Sequence, residues 1–237
     1  MKKRQIFVLL LSLILVISFS SFAFADGDGY YVVKLDNTNG IVLDEYGSAR
    51  VNFTVPAKGK VTVNISFTDS DLHDKTNLEI WEYDGLDCTV WFGRTDKYNT
   101  SKKAYVSSDS ATLAKGKYFL LIEAGEDNAG GALKCTVNYR PSLGSTSITK
   151  LTAKKKGFTV KYKKAANATG YQIRYSRSSK MTNAGYKKTT ALYKTVTKLK
   201  AKKRYYVQVR AYRTLKVDGK TKTYYSAWSA RKYVKTK

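Results

Sequence analysis

The chain has 237 residues, with 43 Lys and Arg, 18 Asp and Glu, and one histidine, which gives a formal net charge of +25. A Ser/His/Asp or Cys/His catalytic arrangement requires a histidine, and this chain offers only one. The composition therefore argues against a hydrolase. The strong positive charge favours polyanionic partners. The length suits two small domains.

The N-terminus has the three parts of a secretory signal peptide. Basic residues open the chain, an apolar run follows from Ile6 to Phe19, and Ala23-Phe24-Ala25 forms a small-residue cleavage pattern. The alternative is an uncleaved anchor helix, which needs about 20 apolar residues. Serines within the run and the alanine pattern favour cleavage, so residues 1–25 are predicted to be removed. No later run is as long and apolar, and we expect an exported protein without a membrane span.

Charge divides the mature chain into two parts. Residues 26–141 contain 13 Lys and Arg against 17 Asp and Glu, a net charge of −4, whereas residues 142–237 contain 27 against one, a net charge of +26. The change lies near Arg140-Pro141-Ser142. We therefore predict a domain over residues 26–141, a linker over 142–146 and a basic domain over 147–237.

Apolar residues of the first domain recur at every second position in short runs that turn residues separate. This alternation is typical of β-strands with one buried face, and no segment has a helical period, so we predict an all-β sandwich. The clearest inward-facing sets are Val61, Val63, Ile65 and Phe67; Tyr118, Leu120 and Ile122; and Leu133, Cys135, Val137 and Tyr139.

Two segments of this domain carry a family resemblance. NLEIWEYDG, from Asn77 to Gly85, and the Gly-rich segment from Leu113 to Tyr139 resemble the late strands of bacterial pre-peptidase C-terminal domains. The resemblance implies a jelly-roll-like sandwich. It also implies a domain that accompanies exported proteins and assists secretion or attachment to matrix and glycan.

An acidic stretch of this domain contains the only histidine, His73. Asp69, Asp71 and Asp74, with Glu79 nearby, supply the hard oxygen ligands that Ca²⁺ requires, although their spacing is not that of an EF-hand. A solvated acidic turn is the simpler interpretation, and a calcium site is the alternative. No GxSxG or HExxH motif accompanies the histidine, and we expect no catalytic residue.

The only cysteines, Cys88 and Cys135, both fall in the first domain. An exported chain meets conditions in which a disulfide persists. The sequence favours a Cys88–Cys135 disulfide if the two strands are neighbours. The alternative is two buried thiols that act as small apolar residues.

The segment LKAKKRYYVQVRAY, Leu199 to Tyr212, organises the basic domain, because its strand has two alternating faces. The predicted inward residues are Tyr205, Val207, Val209 and Ala211. The predicted outward residues are Tyr206, Gln208, Arg210 and Tyr212.

A leucine, a basic turn and then a tyrosine at the head of this strand resemble the tyrosine corner of fibronectin type III domains. Similar strands surround it. The segment from Ile148 to Ala165 resembles the first two strands, with Tyr162 where the family places a buried Trp, and Tyr224 to Lys237 resembles the last strand with its Ser-Ala-Trp-Ser sequence. The resemblance implies a fibronectin type III, immunoglobulin-like sandwich. The Lys- and Tyr-rich composition resembles that of modules on exported proteins of Gram-positive bacteria.

The excess charge of the basic domain cannot be neutralised internally with one acid, Asp218, so its surface must project a positive potential. A charged face that serves only solubility is the simpler interpretation of any one cluster, but not of the whole excess. We predict that the densest clusters bind polyanions. They comprise Lys154, Lys155, Lys156, Lys163, Lys164, Lys187, Lys188, Lys202, Lys203 and Arg204.

Tyrosine is also abundant in the basic domain. Tyr206 and Tyr212 fall in the outward set, where aromatic rings between lysines suit stacking against sugars or bases. Packing of tyrosine rings against lysine stems is the alternative.

These features predict an exported, non-catalytic binding or adhesion protein, associated with the cell surface through its basic domain. The expected partner is an anionic cell-wall polymer or glycan, with neither a cofactor nor a specific nucleic acid. The alternative is a spacer or protein-interaction module of a surface complex, in which a surface protein is the partner and the charge serves only solubility or retention.

Overall fold

The computed structural model describes residues 30–68, 77–83, 88–92, 97–125, 127 and 130–237. The predicted signal peptide lies outside them. The chain divides between Arg140 and Pro141 into two compact units, the first unit and the second unit. The regular structure of the described ranges consists of β-strands, and the all-β prediction is confirmed. Within the same ranges, the chain forms no helix with the length and hydropathy to cross a membrane.

Over the described ranges of the first unit, ten strands form two five-stranded sheets. The strands are β1 Tyr31–Val32, β2 Thr38–Val42, β3 Ser48–Val55, β4 Gly59–Phe67, β5 Asn77–Glu82, β6 Cys88–Phe92, β7 Lys97–Asn99, β8 Ala104–Leu113, β9 Gly116–Glu123 and β10 Ala132–Pro141. One sheet has the order β1-β3-β9-β5-β6 and the other β2-β10-β4-β8-β7. Strand β1 pairs with β3 in parallel, whereas β3 and β9 pair antiparallel.

The predicted inward sets form the core of the first unit. Strands β4, β9 and β10 each alternate buried and less buried residues, and all the predicted inward residues are buried. Tyr139 is completely buried, yet its hydroxyl donates a hydrogen bond of 2.7 Å to the carbonyl oxygen of Ala57. Burial of this tyrosine therefore leaves its polar tip satisfied.

The structure does not contain the disulfide predicted for Cys135. Cys135 is a free thiol on β10 and is completely buried, so no disulfide joins it to Cys88. The prediction required the two strands to be neighbours, and they are not: Cys88 begins β6, an edge strand of one sheet, whereas β10 lies inside the other sheet. Burial raises the pKa of the Cys135 thiol to about 12. The alternative interpretation, a thiol acting as a small apolar residue, is therefore the one that describes Cys135.

Eight strands form the second unit. They are β11 Ile148–Lys154, β12 Gly157–Tyr162, β13 Gly170–Ser176, β14 Gly185–Thr189, β15 Tyr193–Val196, β16 Arg204–Val217, β17 Lys220–Tyr225 and β18 Lys232–Lys235. One sheet has the order β11-β12-β15. The other, which we call the long sheet, has the order β14-β13-β16-β17, and β18 pairs with the beginning of β16. This arrangement of three strands against a larger antiparallel sheet is a fibronectin type III-like sandwich.

Both sheets contribute to one core in the second unit. Phe158 and Val160 of β12 belong to the same buried cluster as Ile173, Val207 and Val209 of the long sheet. The rings of Tyr162 and Tyr171 are also buried, with their centroids 4.8 Å apart. Tyr162 thus occupies the core, as its place in the resemblance implies.

The turn before β16 has the predicted tyrosine corner. The hydroxyl of Tyr205 accepts a hydrogen bond of 3.2 Å from the backbone N–H of Lys200, and Leu199 packs against the core. This bond ties the basic turn to the strand that follows it. The predicted alternation of β16 is confirmed, because Tyr205, Val207, Val209 and Ala211 are buried while the intervening residues face outward.

Candidate polyanion-binding site

The ten cations predicted to bind polyanions all have exposed side chains. The structure does not gather them into one site. They lie in three places: at one end of the second unit, at the opposite end, and along β14.

Backbone hydrogen bonds bring two lysine clusters to one end. The carbonyl of Lys156 accepts from the N–H of Leu199 at 2.9 Å, which joins the β11–β12 turn to the turn before β16. Lys237 also joins this end, because its N–H donates to the Lys154 carbonyl and its carbonyl accepts from the Lys156 N–H. We call this region the basic end. It comprises Lys154, Lys155, Lys156, Lys202, Lys203, Arg204 and Lys237.

The other predicted cations are elsewhere. Lys163 and Lys164 follow β12, so they lie at the opposite end of that strand from Lys156. Lys187 pairs with the inward-facing Ile173 and Lys188 with the outward-facing Gln172. Successive strand residues point to opposite faces, so only Lys188 of this pair belongs to the outer face of the long sheet.

On that outer face, cations and aromatic rings stack in alternation. The Arg210 guanidinium carbon lies 3.8 Å from the ring centroid of Tyr225 and 4.3 Å from that of Trp228. Arg174 lies 4.3 Å from Trp228, and the Lys188 amine lies 5.8 Å from Tyr225. These distances are within the range of cation–π attraction. We call the set the cation–aromatic face; it comprises Arg174, Lys188, Arg210, Tyr186, Tyr212, Tyr225 and Trp228.

The Ser-Ala-Trp-Ser segment positions Trp228. Between β17 and β18, Ser226 and Ser229 each exchange two hydrogen bonds with β16. Their backbone N–H groups donate to the carbonyls of Ala211 and Val209, and their hydroxyls accept from the N–H groups of the same residues, over 2.8 to 3.1 Å. The serine hydroxyls replace backbone acceptors where the strand is interrupted. Trp228, between them, is thereby held on the outer face.

Glutamines fix the arginines. The side-chain oxygen of Gln208 accepts from Nε and Nη2 of Arg174 at 3.0 and 2.6 Å, and that of Gln172 accepts from Nε of Arg210 at 2.9 Å. Partial burial lowers the pKa of the Arg210 guanidinium, and Arg174 nearby lowers it further, whereas Tyr225 opposes the shift. An arginine pKa starts so high that the group remains a cation at neutral pH.

A smaller stack lies at the beginning of β16. The Arg204 guanidinium carbon is 4.7 Å from the ring centroid of Tyr233, and that of Arg231 is 5.5 Å from Tyr206. The Tyr206 and Tyr233 rings meet edge to face, with centroids 6.1 Å apart. Arg231 also donates a hydrogen bond to the carbonyl of Ser179. Arg204 therefore belongs both to the basic end and to this stack.

The predicted aromatic residues, Tyr206 and Tyr212, do face outward, but both are half-buried and pack against other tyrosines. The more exposed rings on the outer face of the long sheet are those of Tyr186, Tyr225 and Tyr233, at 52%, 38% and 60%. These three rings and Trp228 were not predicted from the sequence. The outward alternation of β14, β17 and β18 could have identified the three tyrosines.

The predicted calcium ligands Asp69, Asp71 and Asp74 lie outside the described residues, as does His73. Glu79 is on β5, where its carboxylate accepts a hydrogen bond of 2.9 Å from the Trp81 indole. In the described part of the chain, no three His, Cys, Asp or Glu side chains come together as a metal site would require.

No protein-family model and no curated protein matches the sequence. Solved structures with similarity include a pre-peptidase C-terminal domain of a collagenase from Bacillus anthracis, with 14% identity and a TM-score of 0.32, covering 45% of this chain and 92% of that domain. An Fn3-like protein from Clostridium thermocellum has 19% identity and a TM-score of 0.27, covering 38% of this chain and 91% of its own.

A β-1,2-glucanase from Parabacteroides distasonis is similar over 84% of this chain, with 12% identity and a TM-score of 0.32. This chain spans 32% of the glucanase's length. The fold of each unit is defined by its own strand order.

Proposed function

We propose that the protein is an exported, non-catalytic binding protein whose second unit attaches it to an anionic polymer of the cell envelope or to an anionic glycan. The observation that carries the proposal is the unbalanced charge of the second unit, 27 cations against one acid in residues 142–237, with all ten cations of the predicted clusters exposed.

Charge placement supports attachment over simple solubility. Solubility is served by modest net charge of mixed sign, whereas a unit with net charge +26 repels itself and loses stability. The basic end concentrates positive charge in one place, because hydrogen bonds join the two segments that carry Lys154 to Lys156 and Lys202 to Arg204. Such a surface attracts any polyanion, and the attraction weakens steeply with salt because counterions are released on binding.

The test measures retention of the full chain on purified cell wall and on immobilised anionic glycan across a salt gradient. Two variants lose the same charge, one at the basic end and one at dispersed exposed positions. They are K155Q/K156Q/K202Q/K203Q and K150Q/K180Q/K216Q/K220Q.

We expect retention of the unmodified chain at low salt and its loss as salt rises. The basic-end variant should elute at lower salt than the dispersed variant, because its four charges lie close enough to act on one stretch of polymer. Equal elution of the two variants would show that position is irrelevant. Retention on neither matrix would refute attachment, and salt-insensitive binding to one surface protein would support the spacer or protein-interaction alternative.

A further inference from the structure

The second unit has two physically different kinds of cation. The lysines of the basic end are exposed and flexible, whereas Arg174 and Arg210 are half-buried, stacked on rings and hydrogen-bonded to glutamines. A stacked, hydrogen-bonded guanidinium loses little rotamer entropy when it binds a ligand. The cation–aromatic face is therefore preorganised for recognition in a way that the basic end is not.

The two arginines also keep hydrogen-bonding capacity. Arg210 uses only Nε, so both of its Nη groups lack an acceptor among the residues that the structure describes. Arg174 uses Nε and Nη2, and its Nη1 likewise has no acceptor within the described ranges. A guanidinium edge of this kind binds an oxyanion with directed, charge-assisted hydrogen bonds.

The rings around these arginines do not suit nucleic-acid bases. Base stacking needs an open aromatic face, but guanidinium groups lie 3.8 Å over Tyr225 and 4.3 Å over Trp228. What the face offers a ligand is guanidinium edges and the hydroxyls of exposed tyrosines such as Tyr186. These groups match a polymer that combines anionic groups with many hydroxyls.

We infer that the cation–aromatic face is a specific binding site for an acidic polysaccharide, in which Arg174 and Arg210 bind the anionic groups and the exposed tyrosine hydroxyls contact the sugar hydroxyls. This inference rests on the proposed attachment function and adds its ligand class and location. Charge complementarity supports it. The face presents three cations, whereas Asp218, the only acid of the unit, lies in the β16–β17 turn. The basic end supplies long-range attraction, and the face supplies selectivity.

The test compares three probes, namely alginate (a linear polyuronate), inorganic polyphosphate and single-stranded poly(dT), with the full chain at two salt concentrations. The key variant, R174K/R210K, preserves net charge but replaces each planar fork by a flexible amine. Its matched control, R177K/R213K, makes the same replacement away from the face.

We expect the unmodified chain to bind alginate at a salt concentration that abolishes binding of polyphosphate and poly(dT). R174K/R210K should weaken alginate binding about tenfold or more, since directed hydrogen bonds to charged groups are lost. The same variant should leave polyphosphate binding at low salt unchanged, and the control should behave as the unmodified chain.

A second variant keeps the test informative if R174K/R210K fails to fold. Tyr186→Phe removes one hydroxyl from a ring that is 52% exposed, and it should weaken alginate binding about threefold without changing the melting temperature. Equal binding of the three probes, or unchanged alginate binding in both variants, would overturn the inference and leave charge-driven attachment standing. Binding of no probe would refute the proposed function itself.

Discussion

Arg210 is the arginine most enclosed by the cation–aromatic face, so its replacement tests whether the stack stabilises the second unit. Arg210→Met keeps the apolar stem, which covers the sheet, and removes the guanidinium. The variant loses contacts with Tyr225 and Trp228 and one hydrogen bond to Gln172.

The magnitude follows from those three contacts. Each cation–π contact in a half-buried setting contributes about 1 kcal/mol. The hydrogen bond from the charged group contributes about 1 kcal/mol more, because the face is open to water on one side. We therefore expect the free energy of unfolding to fall by about 2–3 kcal/mol, which corresponds to a decrease in melting temperature of roughly 10 °C for a unit of this size.

Trp228 is the only tryptophan of residues 141–237, so its fluorescence reports on the second unit when Trp81 and Trp91 are replaced by Phe in every variant. Urea unfolding would be followed at this residue. Arg210→Lys is the matched control: it retains the charge but loses the planar group, and its stability should lie between the other two. A decrease below about 0.5 kcal/mol in Arg210→Met, the scale of an ordinary surface substitution, would refute the stabilising role of the stack.

Three further predictions concern the cores and turns. Tyr205→Phe leaves the Lys200 N–H without its acceptor and should lower the unfolding free energy by about 1–2 kcal/mol in urea titrations, whereas loss of under 0.3 kcal/mol would contradict the tyrosine corner. Because the pKa of Cys135 is raised from 9.0 to about 12, the thiol stabilises the folded state below pH 9, and this contribution should fall by about 1.4 kcal/mol per pH unit from there up to about pH 12. Cys135→Ala should lack that slope, and identical slopes would contradict the burial. Gly47→Ala places a Cβ against the Gly125 carbonyl oxygen at a φ of +69°, so thermal melting should show a loss of about 2 kcal/mol or more in the free energy of unfolding, and an unchanged melting temperature would contradict this close approach.

Alternation along each strand made much of the fold predictable. It placed Val61, Ile122 and Val137 in the core of the first unit, and Val207 and Val209 in that of the second. The tyrosine corner was predictable for a related reason, because a leucine, a turn and a tyrosine are local in sequence. The direction of a side chain in a strand depends only on whether its position is odd or even, so it can be predicted without knowing which strands are neighbours.

Partnership between distant strands was not predictable in this way. Parity places Cys135 inside, but it does not say in which sheet β10 lies. The disulfide with Cys88 was predicted on the condition that their strands are neighbours, and that condition is not met. The cation–aromatic face depends on the same missing information. Arg174 and Arg210 lie on adjacent strands, and Trp228 reaches them only because two serines hold an interrupted strand against β16.

The distribution of arginine argues that the charge of the second unit does more than confer solubility. Residues 142–237 contain six arginines among 27 cations, and four of the six, Arg174, Arg204, Arg210 and Arg231, lie over aromatic rings. Lysine serves solubility as well as arginine does, so a purely solubilising role gives no reason to concentrate arginine beside rings. Stacking and directed binding of oxyanions do give one, because both require the planar guanidinium. A specific face set within a generally basic surface is the arrangement that this distribution favours.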